Sequence, residues 1–233
     1  MRRRRGPTGT DPILAWQAAS LLLGYPDEEL LDRRPLLRRA TAGLPPGTGA
    51  PLGRFLDHLD ATPLSDLAAD YVATFDHRKR CCLYLTYYAH GDTRNRGMAL
   101  LRFKRAYTAA GLVLDDGELP DHLAVVLEFA ATGDPREGRR LLLEHRAGLE
   151  LLRLALAADA SPWTSVLDAV SATLPPLTGR TEEAVARLIA EGPPEEEVGL
   201  APYGLAPYGG RATGPVPLPD PVLPSGTALG ARR

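Results

Sequence analysis

Lysine is almost missing from this chain of 233 residues: Lys79 and Lys104 stand alone, and arginine supplies the remaining positive charge. With a formal net charge of -2, the arginines read as GC-rich coding bias, and the whole-chain field gives no reason to expect nucleic acid or an anionic membrane as the main partner. Cysteine is as scarce. Cys81 and Cys82 are adjacent, so they cannot staple distant parts of a fold; two reduced thiols, as in a reducing cytoplasm, are expected. No apolar run approaches the roughly 20 residues that span a bilayer, which argues against direct membrane insertion. The motifs of common enzymes are also missing: there is no phosphate-binding Gly-Lys-Ser/Thr loop, no dinucleotide fingerprint and no Gly-x-Ser-x-Gly elbow. His58, His77, His90, His122 and His145 show no zinc spacing beyond the pair His77 and Cys81 at i, i+4, for which no third ligand is evident. No resident cofactor, metal or catalytic residue is expected.

What is present is a chain with 44% hydrophobic and 24% charged residues, enough for one sizeable core. Residues 1–10 open with four arginines and then Gly and Pro, and predict a solvated basic arm in place of an export signal. One kind of punctuation recurs: Asp11-Pro12, Thr62-Pro63, Asp134-Pro135 and Ser161-Pro162 each put a capping side chain before a proline at a helix start. Leu119-Pro120-Asp121 reads as a further start, with Asp121 inside the first turn. The patterns predict helices over 12–23, 27–42 (bent or split at Pro35), 52–59, 63–75, 82–89, 94–110, 120–131, 135–158, 162–174 and 181–190, with a Pro/Gly loop over 44–51. The tyrosines of 82–89 would suit a strand, but no hairpin partner lies nearby. Leu123, Val126, Leu127 and Ala130 form one stripe; Leu141, His145, Leu149, Leu152 and Leu156 form another, suggesting one long central helix. From 192 onward Pro, Gly and small residues dominate, including the tandem Leu200–Gly204 and Leu205–Gly209, so a disordered tail over 192–233 is expected. The expectation is an all-α, single-domain bundle of about nine to ten helices over 11–191.

Two clusters exceed what a plain bundle needs. Tyr71 to Arg96 holds four of the eight tyrosines, and such rings suit either a core or a surface that accepts another chain. Glu118-Leu119-Pro120-Asp121-His122 packs two carboxylates and an imidazole together; it suits either a structural junction or acid–base chemistry, although no nucleophile lies nearby.

Tyr71-x-x-x-Phe75-Asp76, Leu83-Tyr84-Leu85-Thr86-Tyr87-Tyr88, Gly91-Asp92-Thr93-Arg94 with Arg96-Gly97, Glu118-Leu119-Pro120-Asp121-His122-Leu123, Leu127-Glu128-Phe129 and His145-Arg146-x-Gly148-Leu149 together resemble the NarJ branch of the redox-enzyme maturation chaperones, which include TorD and DmsD. The resemblance covers residues 11–192. It implies an all-helical, cytoplasmic, non-catalytic chaperone that binds the N-terminal segment of the nitrate reductase catalytic (alpha) subunit. It would hold the apoenzyme for molybdenum cofactor insertion before membrane attachment, with molybdenum cofactor biosynthesis proteins as further partners. The client-peptide contacts it implies are Phe75, Asp76, Tyr84, Tyr87, Tyr88, Asp92, Arg94, Arg96, Glu118, Pro120, Asp121 and His122. A helical groove lined by tyrosines and carboxylates suits a basic amphipathic client helix. Two other readings stand beside it: a small nucleotide hydrolase using Asp121 and His122, and a non-catalytic scaffold.

Overall fold

The computed structural model describes residues 12–114 and 117–192. The expected arm over 1–10 lies outside these residues, as does the expected tail apart from Gly192. Within them the chain is all-α, with eleven α-helices: α1 Ile13–Leu22, α2 Glu28–Ala42, α3 Pro46–Ala61, α4 Leu64–Tyr71, α5 Leu85–His90, α6 Arg94–Ala109, α7 Leu123–Thr132, α8 Pro135–Glu144, α9 Arg146–Ala158, α10 Thr164–Ala172 and α11 Arg180–Glu191. A π-turn over Val72–Asp76 and a 3₁₀ turn over Lys79–Cys81 join α4 to the segment before α5.

Helix α1 is apolar on nearly every side because it is enclosed by α7, α2 and α10. Its polar groups are tied to neighbours: Trp16 Nε1 donates to Thr173 Oγ1 at 2.9 Å, and Ser20 Oγ to the Ala124 carbonyl at 2.8 Å. The carbonyls at its end accept from distant rings, Leu22 from Trp163 Nε1 (3.2 Å) and Leu23 from the Tyr71 hydroxyl (3.0 Å). Both expected stripes face the core; Leu123, Val126, Leu127, Ala130, Leu141, Leu149, Leu152 and Leu156 are all fully buried. Each such leucine contributes about 1.5–3 kcal/mol of burial free energy.

The helix-start signals act unevenly. Asp134 caps α8, accepting from the amides of Arg136 (2.9 Å) and Glu137 (3.1 Å), and Asp27 caps α2 through the Leu30 amide (2.8 Å). Thr62 instead meets His58 Nδ1 at 3.4 Å, and Ser161 Oγ has no partner among the described residues; Asp11 lies outside them.

Five local expectations are corrected. The 44–51 loop is largely helix: α3 begins at Pro46 and continues through Pro51, because Thr48, Pro51, Leu52, Phe55, Leu56 and Leu59 form one buried stripe. Burial outweighs the poor propensity of proline and glycine. Pro35 does not split α2; the Leu31 carbonyl that it leaves without an amide accepts Arg34 Nε at 2.8 Å. The single helix over 135–158 is two, broken at His145 (φ -101°, ψ 19°). Each half approaches a different neighbour too closely for a side chain. A Cβ on Gly138 would lie 2.4 Å from Ala130 Cα, and one on Gly148 2.7 Å from Tyr88 Cβ. The break lets α8 meet α7 and α9 meet α5. Finally, Cys82–Tyr84 is extended, and α7 begins at Leu123, not Pro120.

Candidate functional site

The extended residues before α5 find their partner far along the chain. Tyr84 and His122 form an antiparallel bridge, in which the Leu85 amide donates to the Asp121 carbonyl (3.0 Å) and the Leu123 amide to the Leu83 carbonyl (2.8 Å). This pairing uses the Asp121 carbonyl and the Leu123 amide, which a helix begun at Pro120 would otherwise take. Asp121 is therefore not in a first helical turn, and the residue flanking α7 is His122, whose side chain makes no cap.

Asp121 is fully buried. Its Oδ2 accepts from the Thr86 amide at 3.0 Å and from Thr86 Oγ1 at 2.5 Å. Thr86 Oγ1 in turn accepts from Arg96 Nε at 3.2 Å, and Arg96 Nη2 lies 3.9 Å from Asp121 Oδ2. Arg96 Nη1 reaches Asp92 at 3.3 Å, and the guanidinium carbon sits 5.5 Å from the centre of the Tyr84 ring. Tyr84 donates its hydroxyl to Glu118 Oε1 at 3.0 Å; burial and that carboxylate push its pKa up to about 12. The same oxygen accepts the Leu119 amide at 2.8 Å. Pro120 is buried, and its carbonyl accepts the Tyr107 hydroxyl at 2.5 Å. The result is a latch that ties the start of α5, the first turn of α6 and the 118–122 segment together.

His122 stacks edge-on against Tyr84 at 5.3 Å and lies 4.0 Å from Glu118 Oε2. Burial lowers its pKa from the usual value, although Glu118 and Asp121 pull the other way. Such an imidazole is neutral at pH 7, not poised to titrate there as an exposed histidine would be. Asp121 Oδ1 and His122 Nδ1 are buried without a hydrogen-bond partner among the described residues. A neighbouring cleft of ≈ 290 Å³ is lined by Glu118, Leu119 and Pro120 together with Tyr107, Leu112 and Val113, but by neither Asp121 nor His122. Both side chains therefore lack the access to a bound reactant that acid–base catalysis needs.

The structure thus brings Tyr84, Arg96, Glu118, Pro120, Asp121 and His122 into one network, with Asp92 at its rim. Phe75 lies elsewhere, in an aromatic core with Tyr71 (4.8 Å) and Trp163 (5.3 Å), while Asp76 is exposed on the π-turn. Tyr88 is buried, its hydroxyl donating to the Cys82 (2.8 Å) and Arg80 (3.1 Å) carbonyls, whereas Tyr87 is half-buried and Arg94 exposed. Thr86 and Tyr107 complete the latch but were not among the candidates; nothing local in the sequence marks a threonine whose partner is 35 residues away. Among the described residues no cluster of His, Cys, Asp and Glu is placed to hold a metal, and no helix is long and apolar enough to cross a membrane.

A second cleft, of ≈ 350 Å³, lies between α11 and the surface made by α5 and the start of α9. At its edge His145 packs on Phe103 at 5.2 Å. Burial, helped by nearby His90 and Arg102, holds the His145 pKa at about 4, against the upward pull of a hydrogen bond to the Leu85 backbone. The sign of the pH effect follows. Above about 6.5 the imidazole is neutral whether the chain is folded or not; as pH falls the unfolded chain protonates first, so stability is lost between about 6.5 and 4 and levels off below. The expected loss from this ring is about 2 kcal/mol after allowing for its partial exposure, and His122 acts in the same direction. Urea denaturation at pH 7 and pH 4.5 should show a smaller drop for His145→Phe than for the wild type; equal drops would remove His145 as a cause.

Comparison with known proteins gives the family. Residues 41–168 match the nitrate reductase delta subunit family. A nitrate reductase-like protein NarX of Mycobacterium tuberculosis (strain H37Rv) is 42% identical over 160 residues, which are 69% of this chain and 24% of that longer protein, so the chain spans about a quarter of its length. The probable nitrate reductase molybdenum cofactor assembly chaperone NarJ of Bacillus subtilis is 31% identical over 173 residues, covering 71% of this chain and 90% of the relative. NarJ of Escherichia coli K12 is 33% identical over 152 residues, 64% of each. A crystal structure described as that of a redox enzyme maturation protein from Archaeoglobus fulgidus superimposes with a TM-score of 0.51 at 21% identity, over 81% of this chain and 99% of the other, a likeness of fold. The chain belongs to the nitrate reductase delta subunit family, in which the NarJ proteins are its relatives.

Proposed function

We propose that this protein is an assembly chaperone that binds the N-terminal segment of the nitrate reductase alpha subunit and holds the apoenzyme while its molybdenum cofactor, the client's cargo, is inserted. Attachment of the client to the membrane would follow its release. The observation that carries this reading is the likeness to the Bacillus subtilis chaperone NarJ over 90% of that protein's length. The site geometry supports it from the other side. The family-like motif is spent on a buried latch that stiffens the α5–α6 region, not on groups open to a reactant. Around the latch, half-buried Tyr84, Tyr87 and Glu118 and exposed Asp76 and Asp92 offer aromatic faces and negative charge to a basic amphipathic segment.

Titration calorimetry with a synthetic peptide of the alpha-subunit N-terminus should give a dissociation constant between micromolar and nanomolar, about -8 to -12 kcal/mol. Tyr87→Ala should weaken it, and Asp76→Asn with Asp92→Asn should weaken it more at low salt than at high, because rim charges are screened. Tyr88→Ala is a poor probe, since that ring is core. A folded wild type that binds neither the peptide nor the full subunit would overturn the proposal.

A further inference from the structure

Helix α11 is held differently from the other helices. Of its twelve residues only Val185 is buried; Leu188 packs on the core in part, and Ile189 is 59% exposed. None of Arg180, Glu182, Glu183, Arg187 and Glu191 makes a side-chain hydrogen bond or ion pair with the described residues. The helix starts at Gly179 (φ 50°) without a side-chain cap and ends at Gly192 (φ 76°), both left-handed positions suited to glycine. Pro175 and Pro176 precede it. These are the marks of an element that opens locally at low cost.

Beneath it lies the cleft of ≈ 350 Å³ already described. Its floor is apolar, made by Leu85, Tyr88, Ala89 and Gly148, with Glu144 at its rim. Helix α11 fills this trough incompletely, through Ala184 and Leu188 at i, i+4, with Arg187 and Glu191 on the flanks. The chain's own helix therefore shows what the trough accepts: an amphipathic helix with two apolar residues one turn apart and charged residues beside them. At the rim the carboxylate of Glu144 is held by Arg140 (3.0 Å) and Arg102.

We propose that α11 is a displaceable strap, and that the client's basic amphipathic helix binds by taking its seat on Leu85, Tyr88, Ala89 and Gly148. This rests on the client-binding reading above and adds where the helix sits and what it must remove. Apparent client affinity is then the intrinsic affinity reduced by the fraction of molecules whose strap is open. It also explains why α5, a short helix, is anchored so firmly by the latch at its start: it forms the floor of the trough.

The test uses the full-length chain, the alpha-subunit N-terminal peptide and hydrogen exchange read by mass spectrometry. Peptide addition should speed exchange in 180–191 and slow it in 85–89. The double variant Val185→Asp, Leu188→Asp, which loosens the strap, should bind about 10-fold tighter than the wild type. Ala147→Trp, which fills the trough from α9, should lose binding while melting as the wild type does. Peptide binding that leaves 180–191 as protected as before, with no gain in the double variant, overturns the strap and leaves the chaperone reading standing. Binding by the double variant alone supports a strap that is closed in the wild type. Binding by neither protein overturns both.

Discussion

Asp121→Ala is expected to lower the unfolding free energy by about 3–5 kcal/mol, the range for removing one partner of a buried charged pair. The side chain is fully buried, and its Oδ2 accepts two hydrogen bonds from Thr86 at 3.0 and 2.5 Å. Without it the Thr86 amide is left unpaired in the interior, and Arg96 loses its inner anion at 3.9 Å. Asp121→Asn keeps an acceptor oxygen but not the charge, and should cost about 1–3 kcal/mol. Urea denaturation with an unchanged m-value checks both numbers. The double-mutant cycle with Thr86→Val should give a coupling of about 1–3 kcal/mol. A loss under about 1 kcal/mol for the alanine variant would show that the latch does not hold the fold together. The outcome also bears on the proposed function: under that proposal a buried Asp121 would act on client binding through the stability of α5 and α6, not by meeting the client's charge.

The second large effect comes from a glycine. Gly138→Ala places a Cβ 2.4 Å from Ala130 Cα and 3.0 Å from the Ala130 amide nitrogen. Those are backbone atoms in the last turn of α7, so relief requires α7 and α8 to separate, and the gap opens along buried Leu127, Leu141 and Leu142. A loss of about 2–3 kcal/mol is expected from such overpacking, although helix propensity alone favours alanine by about 1 kcal/mol. Gly97→Ala in α6 is the matched control, because nothing lies within 4 Å of its Cβ position. It should stabilise the protein by about 0.5–1 kcal/mol. Thermal denaturation should move the two melting temperatures in opposite directions, by about 2–4 °C per kcal/mol for a chain of this size. Equal shifts would mean that α7 and α8 do not approach as closely as described.

The same two residues show where sequence reading succeeds and where it stops. The all-α class was legible, because helices are made from contacts three and four residues apart. Leu123, Val126, Leu127 and Ala130 announce their stripe, Asp134-Pro135 announces its cap, and both act as read. The expected span of 94–110 differs from α6 by one residue for the same reason. The candidate list also held most of the latch, since Tyr84, Arg96, Glu118, Asp121 and His122 stand in recognisable motifs. Their roles were not legible. Thr86 meets Asp121 across 35 residues, and Tyr84 bridges His122 across a similar gap, so neither pairing leaves a local pattern. Without that partner the 82–84 segment read as helix, and Asp121 read as a first-turn carboxylate. Packing decided the rest. Burial of Leu52, Phe55, Leu56 and Leu59 carried α3 through Pro51, and two close approaches, at Gly138 and Gly148, broke one long helical pattern at His145. Periodicity records which face of a helix is apolar; only the tertiary structure decides what that face meets, and how near it must come.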